Sequence, residues 1–347
     1  MTKNNKKKII NFCFIAFSSI MLIYVLISNN DIMSIYEAVK HIRVEYIVFA
    51  IACLLAFWVL EAYMIYKLIL KFTGKKGNIA MFWLALKTTL VGQYYSNITP
   101  GASGGQPVQL YIMKDENIPI SEGTAILVEK FLLFQIGVTV YSLVLAVYKL
   151  KILLEYTNGA FLFIALGLLV NIFMIFGIWL ISVKPRAVGY IAGFIAEFLS
   201  RYKIIKNLDK TKNNIDKFID EYDFSIKKMK SNKSLTLKMF FLTFVQITLF
   251  FSITYFVYKS LGLSGSSIFE IIYLQAFLYM SVCFIPIPGT IGVSEMGFVM
   301  LLGNVFSKNI IGTAVLLWRG VSYYFSLIFS GIFVILVSIF KKYKVTI

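Results

Sequence analysis

Two segments at opposite ends of the chain interrupt hydrophobic sequence in the same way: Asn97-Ile-Thr-Pro-Gly-Ala-Ser-Gly-Gly-Gln-Pro107 and Ile285-Pro-Ile-Pro-Gly-Thr-Ile-Gly-Val-Ser-Glu295. Each contains Pro-Gly-x-x-Gly. A Pro-Gly break starts a half-helix whose first amides lack intrahelical partners and carry the positive end of the helix dipole. Such an end is a ready-made anion site. Gly101, Gly104 and Gly105 in the first segment, and Gly289 and Gly292 in the second, leave room for a phosphate to approach the backbone. Asn97, Thr99, Ser103 and Gln106 set neutral hydrogen-bonding groups beside the first break, and Thr290 and Ser294 do so beside the second. The competing reading is that these glycines only permit tight packing.

Ionisable side chains inside apolar segments are costly and are functional candidates by default. Lys87 precedes the first break, Glu129 and Lys130 fall in the apolar run after it, and Glu295 stands directly behind the second break. Arg319 lies in the last apolar run and Glu61 in the middle of the second. Carboxylates suit an ammonium, whereas Arg319, Lys87 or the half-helix amides suit a phosphate. A zwitterionic or aminoacylated phospholipid meets both demands. Alternatively, Glu129 or Glu295 pairs with Arg319 or Lys130 and simply holds helices together.

No catalytic residue, metal ligand or cofactor motif emerges. His41 is the sole histidine, which removes histidine-based triads and histidine-rich metal sites. Cys13, Cys53 and Cys283 are far apart in apolar segments, without disulfide or metal spacing.

The surrounding composition explains what must position these residues. Of 347 residues, 59% are hydrophobic and 15% charged, and mean hydropathy is +0.79. A soluble domain would be about a quarter charged, so this is an integral membrane protein. The net charge of +17 invites a nucleic-acid reading. The lysines, however, cluster beside apolar runs, as in cytoplasmic loops that face anionic lipid.

The apolar runs predict an all-α polytopic protein with about six full spans, at residues 9–28, 44–70, 121–148, 161–183, 235–258 and 310–340. A cleavable signal peptide is the competing reading of the first run, which is long and lacks a small-x-small site. Residues 104–113 would cover only about 15 Å as a helix. Segments 79–113 and 268–303 are therefore expected to be re-entrant hairpins bent at the Pro-Gly breaks. Lys3, Lys6, Lys7 and Lys8 before the first run, and Lys341, Lys342 and Lys344 after the last, place both termini in the cytoplasm. The first hairpin then enters from the cytoplasmic face and the second from outside. Span, hairpin, span in two opposite orientations is an inverted repeat, with a site expected near the midplane.

Three regions follow: a first membrane half (1–183), a basic segment (184–238) and a second membrane half (239–347). The basic segment holds thirteen Lys/Arg against six Asp/Glu. Its Ile215, Phe218, Ile219, Tyr222, Ile226 and Met229 recur at helical spacing, which predicts amphipathic helices on the membrane face.

The Asn97-x-x-Pro-Gly-x-x-Gly-Gly block with Gln106 and Gln109 behind it, the Val128-Glu129-Lys130 segment, Pro286-x-Pro-Gly-x-x-Gly-x-x-Glu295 and Arg319 together resemble the lysylphosphatidylglycerol synthase transmembrane-region family of flippase-like membrane proteins. The resemblance covers essentially the whole chain. Taken with the two breaks, it gives a candidate substrate-binding set: Asn97, Thr99, Gly101, Ser103, Gly104, Gly105, Gln106, Gln109, Glu129, Lys130, Gly289, Gly292, Glu295 and Arg319. Two positions depart from the family pattern. An Arg is frequent where Gln106 or Gln109 stands, and Glu-Arg is common where Glu129-Lys130 stands. Both changes weaken bidentate phosphate contact there.

In long members of the family, a soluble domain moves lysine from lysyl-tRNA onto phosphatidylglycerol. The membrane region carries the product across the bilayer, which lowers the negative surface charge and repels cationic antimicrobial peptides. Ending at Ile347, this chain is expected to be a short form without that domain. The resemblance thus implies a translocator in a bacterial plasma membrane, handling lysyl-phosphatidylglycerol or another charged phospholipid without a cofactor. A phosphatidylglycerol lysyltransferase is one alternative, and only that reading implies a nucleic-acid partner, lysyl-tRNA. A membrane partner of a separate soluble transferase, docked on 184–238, is the other. An oligomer is compatible with all three.

Overall fold

The computed structural model describes residues 40–74, 76–148, 160–202, 207–230, 233–283 and 285–344; the expected first span, 9–28, lies outside them. The helices are α1 (Val44–Thr73), α2 (Ile79–Asn97), α3 (Gly105–Asp115), α4 (Ile120–Tyr148), α5 (Ala160–Val183) and α6 (Pro185–Arg201). They continue with α7 (Leu208–Lys230), α8 (Lys233–Ser260), α9 (Ile268–Val282), α10 (Val293–Leu302), α11 (Ile311–Arg319) and α12 (Ser326–Lys344). A π-helical turn, Gly320–Phe325, joins the last two. No strand occurs among the described residues. The chain is an all-α polytopic membrane protein.

Length and hydropathy qualify α1, α4, α8 and the joined α11–α12 as membrane spans. Helices α5 and α6 qualify only together, as a fifth span among the described residues if the pair is counted as one, and the axis bends by 99° where Pro185 opens α6. Local chemistry sets the other ends. Gly74 adopts a left-handed conformation (φ 64°) and its N–H donates to Leu70 O, closing α1. The Asn78 side chain caps α2 by accepting from Met81 N.

Helices α1 and α8 run antiparallel through the centre. Arg43 N donates to Ser260 O at 2.9 Å at one end, and Met64 packs on Met239 deeper in. The α2–α3 hairpin hangs where α1 finishes and α4 begins. The α9–α10 hairpin hangs where α8 finishes and α11 begins, at the opposite end of the bundle. Helix α3 has 11 residues, about 16 Å of rise or roughly half the hydrocarbon thickness. The two hairpins meet tip to tip: a Cβ built on Gly101 would lie 3.8 Å from Pro286 Cα. Two helical hairpins bent at the Pro-Gly breaks thus start from opposite ends of the bundle and meet at their tips. Far from its tip, the first hairpin is clasped by Lys87 and Glu116 at 2.7 Å.

The basic segment folds as α6 and α7. Ile219, Tyr222 and Ile226 are buried, and the last two join Phe72, Met113 and Ile126 in a cluster under α1, α3 and α4. Helix α6 leaves Tyr190, Ile191 and Phe194 exposed, as expected for a helix lying in the bilayer interface. Lys212 reaches across from α7 to Glu197 of α6 and holds that carboxyl below its ordinary range by hydrogen bonding.

Candidate functional site

The two hairpin tips have the same backbone. Thr99 (φ −119°, ψ 146°) and Ile287 (φ −108°, ψ 128°) are extended, and a Pro-Gly pair follows each. Gly101 (φ 56°, ψ 27°) and Gly289 (φ 60°, ψ 9°) both enter the left-handed region that favours glycine. The next residues, Ala102 (φ 56°) and Thr290 (φ 52°), stay there despite their side chains. This strained pair of residues at each tip re-aims the chain into α3 or α10.

At each tip, one amide expected to await an anion is engaged from within. Gly104 N donates to Thr99 Oγ1 at 2.8 Å, and Gly292 N donates to Glu295 Oε2 at 2.7 Å. The Ser294 hydroxyl, which donates to Thr290 O at 2.8 Å, lies 3.1 Å from the same Glu295 oxygen, and Arg319 Nε donates to the other oxygen at 2.5 Å. Arg319 Nη2 donates to Gly289 O at 2.7 Å. Its guanidinium carbon lies 5.3 Å from the Trp318 ring centre and 5.1 Å from that of Tyr323. The Tyr323 hydroxyl donates to Asn97 O at 3.3 Å and so ties the π-helical turn to the first tip. Asn97 Nδ2 donates to Ser326 Oγ at 3.0 Å.

Between the tips and the middles of α1, α4 and α9 lies a cavity of about 330 Å³, the size of a small ligand site. Leu54, Phe57, Trp58, Phe131, Phe134, Phe250 and Leu278 form an apolar wall. Gln93, Asn97, Gln135, Gln275, Tyr279, Thr290, Ser294 and Ser322 supply neutral polar groups. Among the described residues, three charged ones line it: Glu61, Lys130 and Arg319. Lys130 Nζ donates to Glu61 Oε1, and Gln246 Nε2 donates to Glu61 Oε2 at 3.4 Å. The Gln135 wall is braced by Asn171, which accepts from Gln135 Nε2 at 3.2 Å and donates to Met280 O at 3.0 Å. That cross-link needs Gly167, where a Cβ would lie 2.5 Å from Ser281 Cα.

Of the sequence-derived set, Asn97, Gly101, Lys130, Gly289 and Arg319 line the cavity, and Glu295 is buried behind Arg319. Thr99, Gly104, Gly105 and Gln109 serve the first hairpin's own packing. A Cβ on Gly104 would meet Thr99 and one on Gly105 would meet Ser96, while Gln109 lies against Gly92. Ser103 and Gln106 are exposed and outside the lining, and the Gly292 amide is spent on Glu295. Glu129 does not face the cavity. It is buried against α8, where it accepts from Thr236 Oγ1 at 3.0 Å, and its other oxygen has no hydrogen-bond partner among the described residues. Successive helical residues point about 100° apart, so Glu129 and Lys130 address different neighbours.

The anticipated pairing of Glu295 with Arg319 is present, whereas Lys130 takes Glu61 rather than Glu129 or Glu295. Sequence reasoning left Glu61, Gln93, Gln135, Gln275 and Tyr323 out of the set. The available signal was a side-chain amide or carboxylate in the middle of each apolar run, costly unless partnered.

The profile of the Lysylphosphatidylglycerol synthase TM region matches residues 11–330. The chain is 23% identical over 297 residues to a UPF0104 membrane protein of Archaeoglobus fulgidus, an alignment covering 84% of this chain and 86% of the relative. No solved structure matches.

Proposed function

Because the chain belongs to the lysylphosphatidylglycerol synthase transmembrane-region family, we propose that it binds a charged phospholipid headgroup in the cavity between its hairpin tips and carries it between leaflets. The observation behind this reading is the juxtaposition, at mid-span depth, of an acid–base pair and an arginine with an aromatic wall. The pair suits headgroup charge and the wall suits the first methylenes of the lipid. Hairpins entering from opposite ends and meeting at their tips give a natural seam for alternating access. The protein works in the plasma membrane of a bacterium with both termini in the cytoplasm. Its cargo is an aminoacylated or otherwise charged phospholipid. Were the cargo lysyl-phosphatidylglycerol, moving it outward would protect the cell against cationic antimicrobial peptides.

Lipid mass spectrometry of the detergent-purified protein tests this. A phospholipid should co-purify with the native chain and be lost from a folded Ser322→Phe variant, which fills the cavity from the π-helical turn. Equal lipid in both would remove the cavity from the mechanism. Incubation of the same protein with lysyl-tRNA and phosphatidylglycerol tests the lysyltransferase alternative, for which product formation is the required result.

A further inference from the structure

The two ion pairs at the cavity are not equivalent: Glu295–Arg319 is buried, whereas Glu61–Lys130 is partly exposed. Glu295 and Arg319 are well held: the carboxylate accepts from the Gly292 amide and from Arg319 Nε, and the guanidinium also reaches Gly289 O and lies over two rings. Glu61 and Lys130 are sparsely held. Among the described residues, Glu61 has besides Lys130 one long contact, from Gln246 at 3.4 Å. Each pair is neutral in itself, so the charged residues at the cavity sum to zero among the described residues.

Where charges are largely withdrawn from solvent, a ligand that adds net charge leaves an ion without a partner, which is unfavourable. A ligand carrying one charge of each sign adds none. From this charge balance, and resting on the headgroup reading above, we propose that the cargo is net-neutral, with one phosphate and one ammonium. It binds by ion-pair exchange: the ammonium replaces Lys130 on Glu61, and the phosphate takes the released Lys130 ammonium. Two charge-assisted hydrogen bonds then stand where one did, and no covalent bond changes. Arg319 and Glu295 stay together throughout. A singly anionic phospholipid and doubly basic lysyl-phosphatidylglycerol each leave one charge unmatched.

The full chain in detergent, offered an equimolar mixture of phosphatidylethanolamine, phosphatidylglycerol and lysyl-phosphatidylglycerol, should retain the ethanolamine lipid at least tenfold over either competitor. Glu61→Gln should turn the preference to phosphatidylglycerol, and Lys130→Gln should turn it to the lysylated lipid. The exchanged variant Glu61→Lys with Lys130→Glu keeps the balance and should keep the native preference, which provides a test if the single variants do not fold. Lipid retained in the same order by every folded variant would overturn the charge-balance proposal and leave headgroup binding standing. No lipid retained by any of them would instead remove headgroup binding itself. Displacement of the lipid by an equal concentration of free glycerophosphoethanolamine would make the ligand a soluble zwitterion and overturn the lipid cargo.

Discussion

The two hairpin tips share a backbone and differ in what they store. Both enter through an extended residue, turn at Pro-Gly and keep a second residue in the left-handed region. At the first tip a neutral hydroxyl, Thr99, satisfies the Gly104 amide, and Gly101, Ala102 and Ser103 are exposed. At the second a carboxylate, Glu295, satisfies the Gly292 amide and binds Arg319, with Tyr323 lying over Gly289. The Pro-Gly-x unit therefore sets shape alone. Charge at a tip depends on the residue three places after its second glycine: Glu295 follows Gly292, whereas Pro107 follows Gly104 by the same count.

The largest break in this comparison should come from Glu295→Gln. It strands the Arg319 guanidinium in a buried site, and loss of one partner from such a pair costs about 3–5 kcal/mol. Thermal unfolding in detergent should show a deep fall, largely recovered when Arg319→Met is added. Next in size is Gly289→Ala. The new methyl meets the Tyr323 ring in addition to the left-handed backbone, for a combined cost of about 2–4 kcal/mol. Gly101→Ala incurs the backbone cost alone, about 1–2 kcal/mol, since the nearest atom is Pro286 Cα at 3.8 Å. Equal melting of the two alanine variants would erase the distinction between the tips. The smallest effect belongs to Thr99→Val, which takes a cap-like acceptor from Gly104 N at about 1 kcal/mol and should leave lipid retention unchanged.

The hairpins were legible because Pro-Gly inside an apolar run has few structural solutions, and because 104–113 is too short to span. The Glu295–Arg319 pair was legible as well, since two opposite charges in neighbouring apolar runs need each other. Glu61–Lys130 was not: the partners are 69 residues apart on α1 and α4, and the nearer carboxylate in sequence, Glu129, points elsewhere. Nor does sequence tell a glycine that frees space for a ligand from one that frees space for a neighbour. Gly104, Gly105 and Gly289 admit Thr99, Ser96 and Tyr323, while Gly101, at the cavity, has Pro286 Cα at 3.8 Å as the nearest atom to an added Cβ.

The π-helical turn at Gly320–Phe325 has a bearing on the last span as a whole. A wide turn accommodates one residue more than an α turn would, so it acts as a phase offset between α11 and α12. Removing one residue there and letting the α-helix run straight would rotate everything beyond by about 100°. Ile328, Ile332 and Ile335, now on the exposed face, would swing inward, and the buried hydroxyls of Ser326 and Ser330 would face hydrocarbon. The spacing between Arg319 and the tail of the span is thus constrained as tightly as the arginine itself, and a single-residue deletion in this turn should be worse tolerated than most replacements within it.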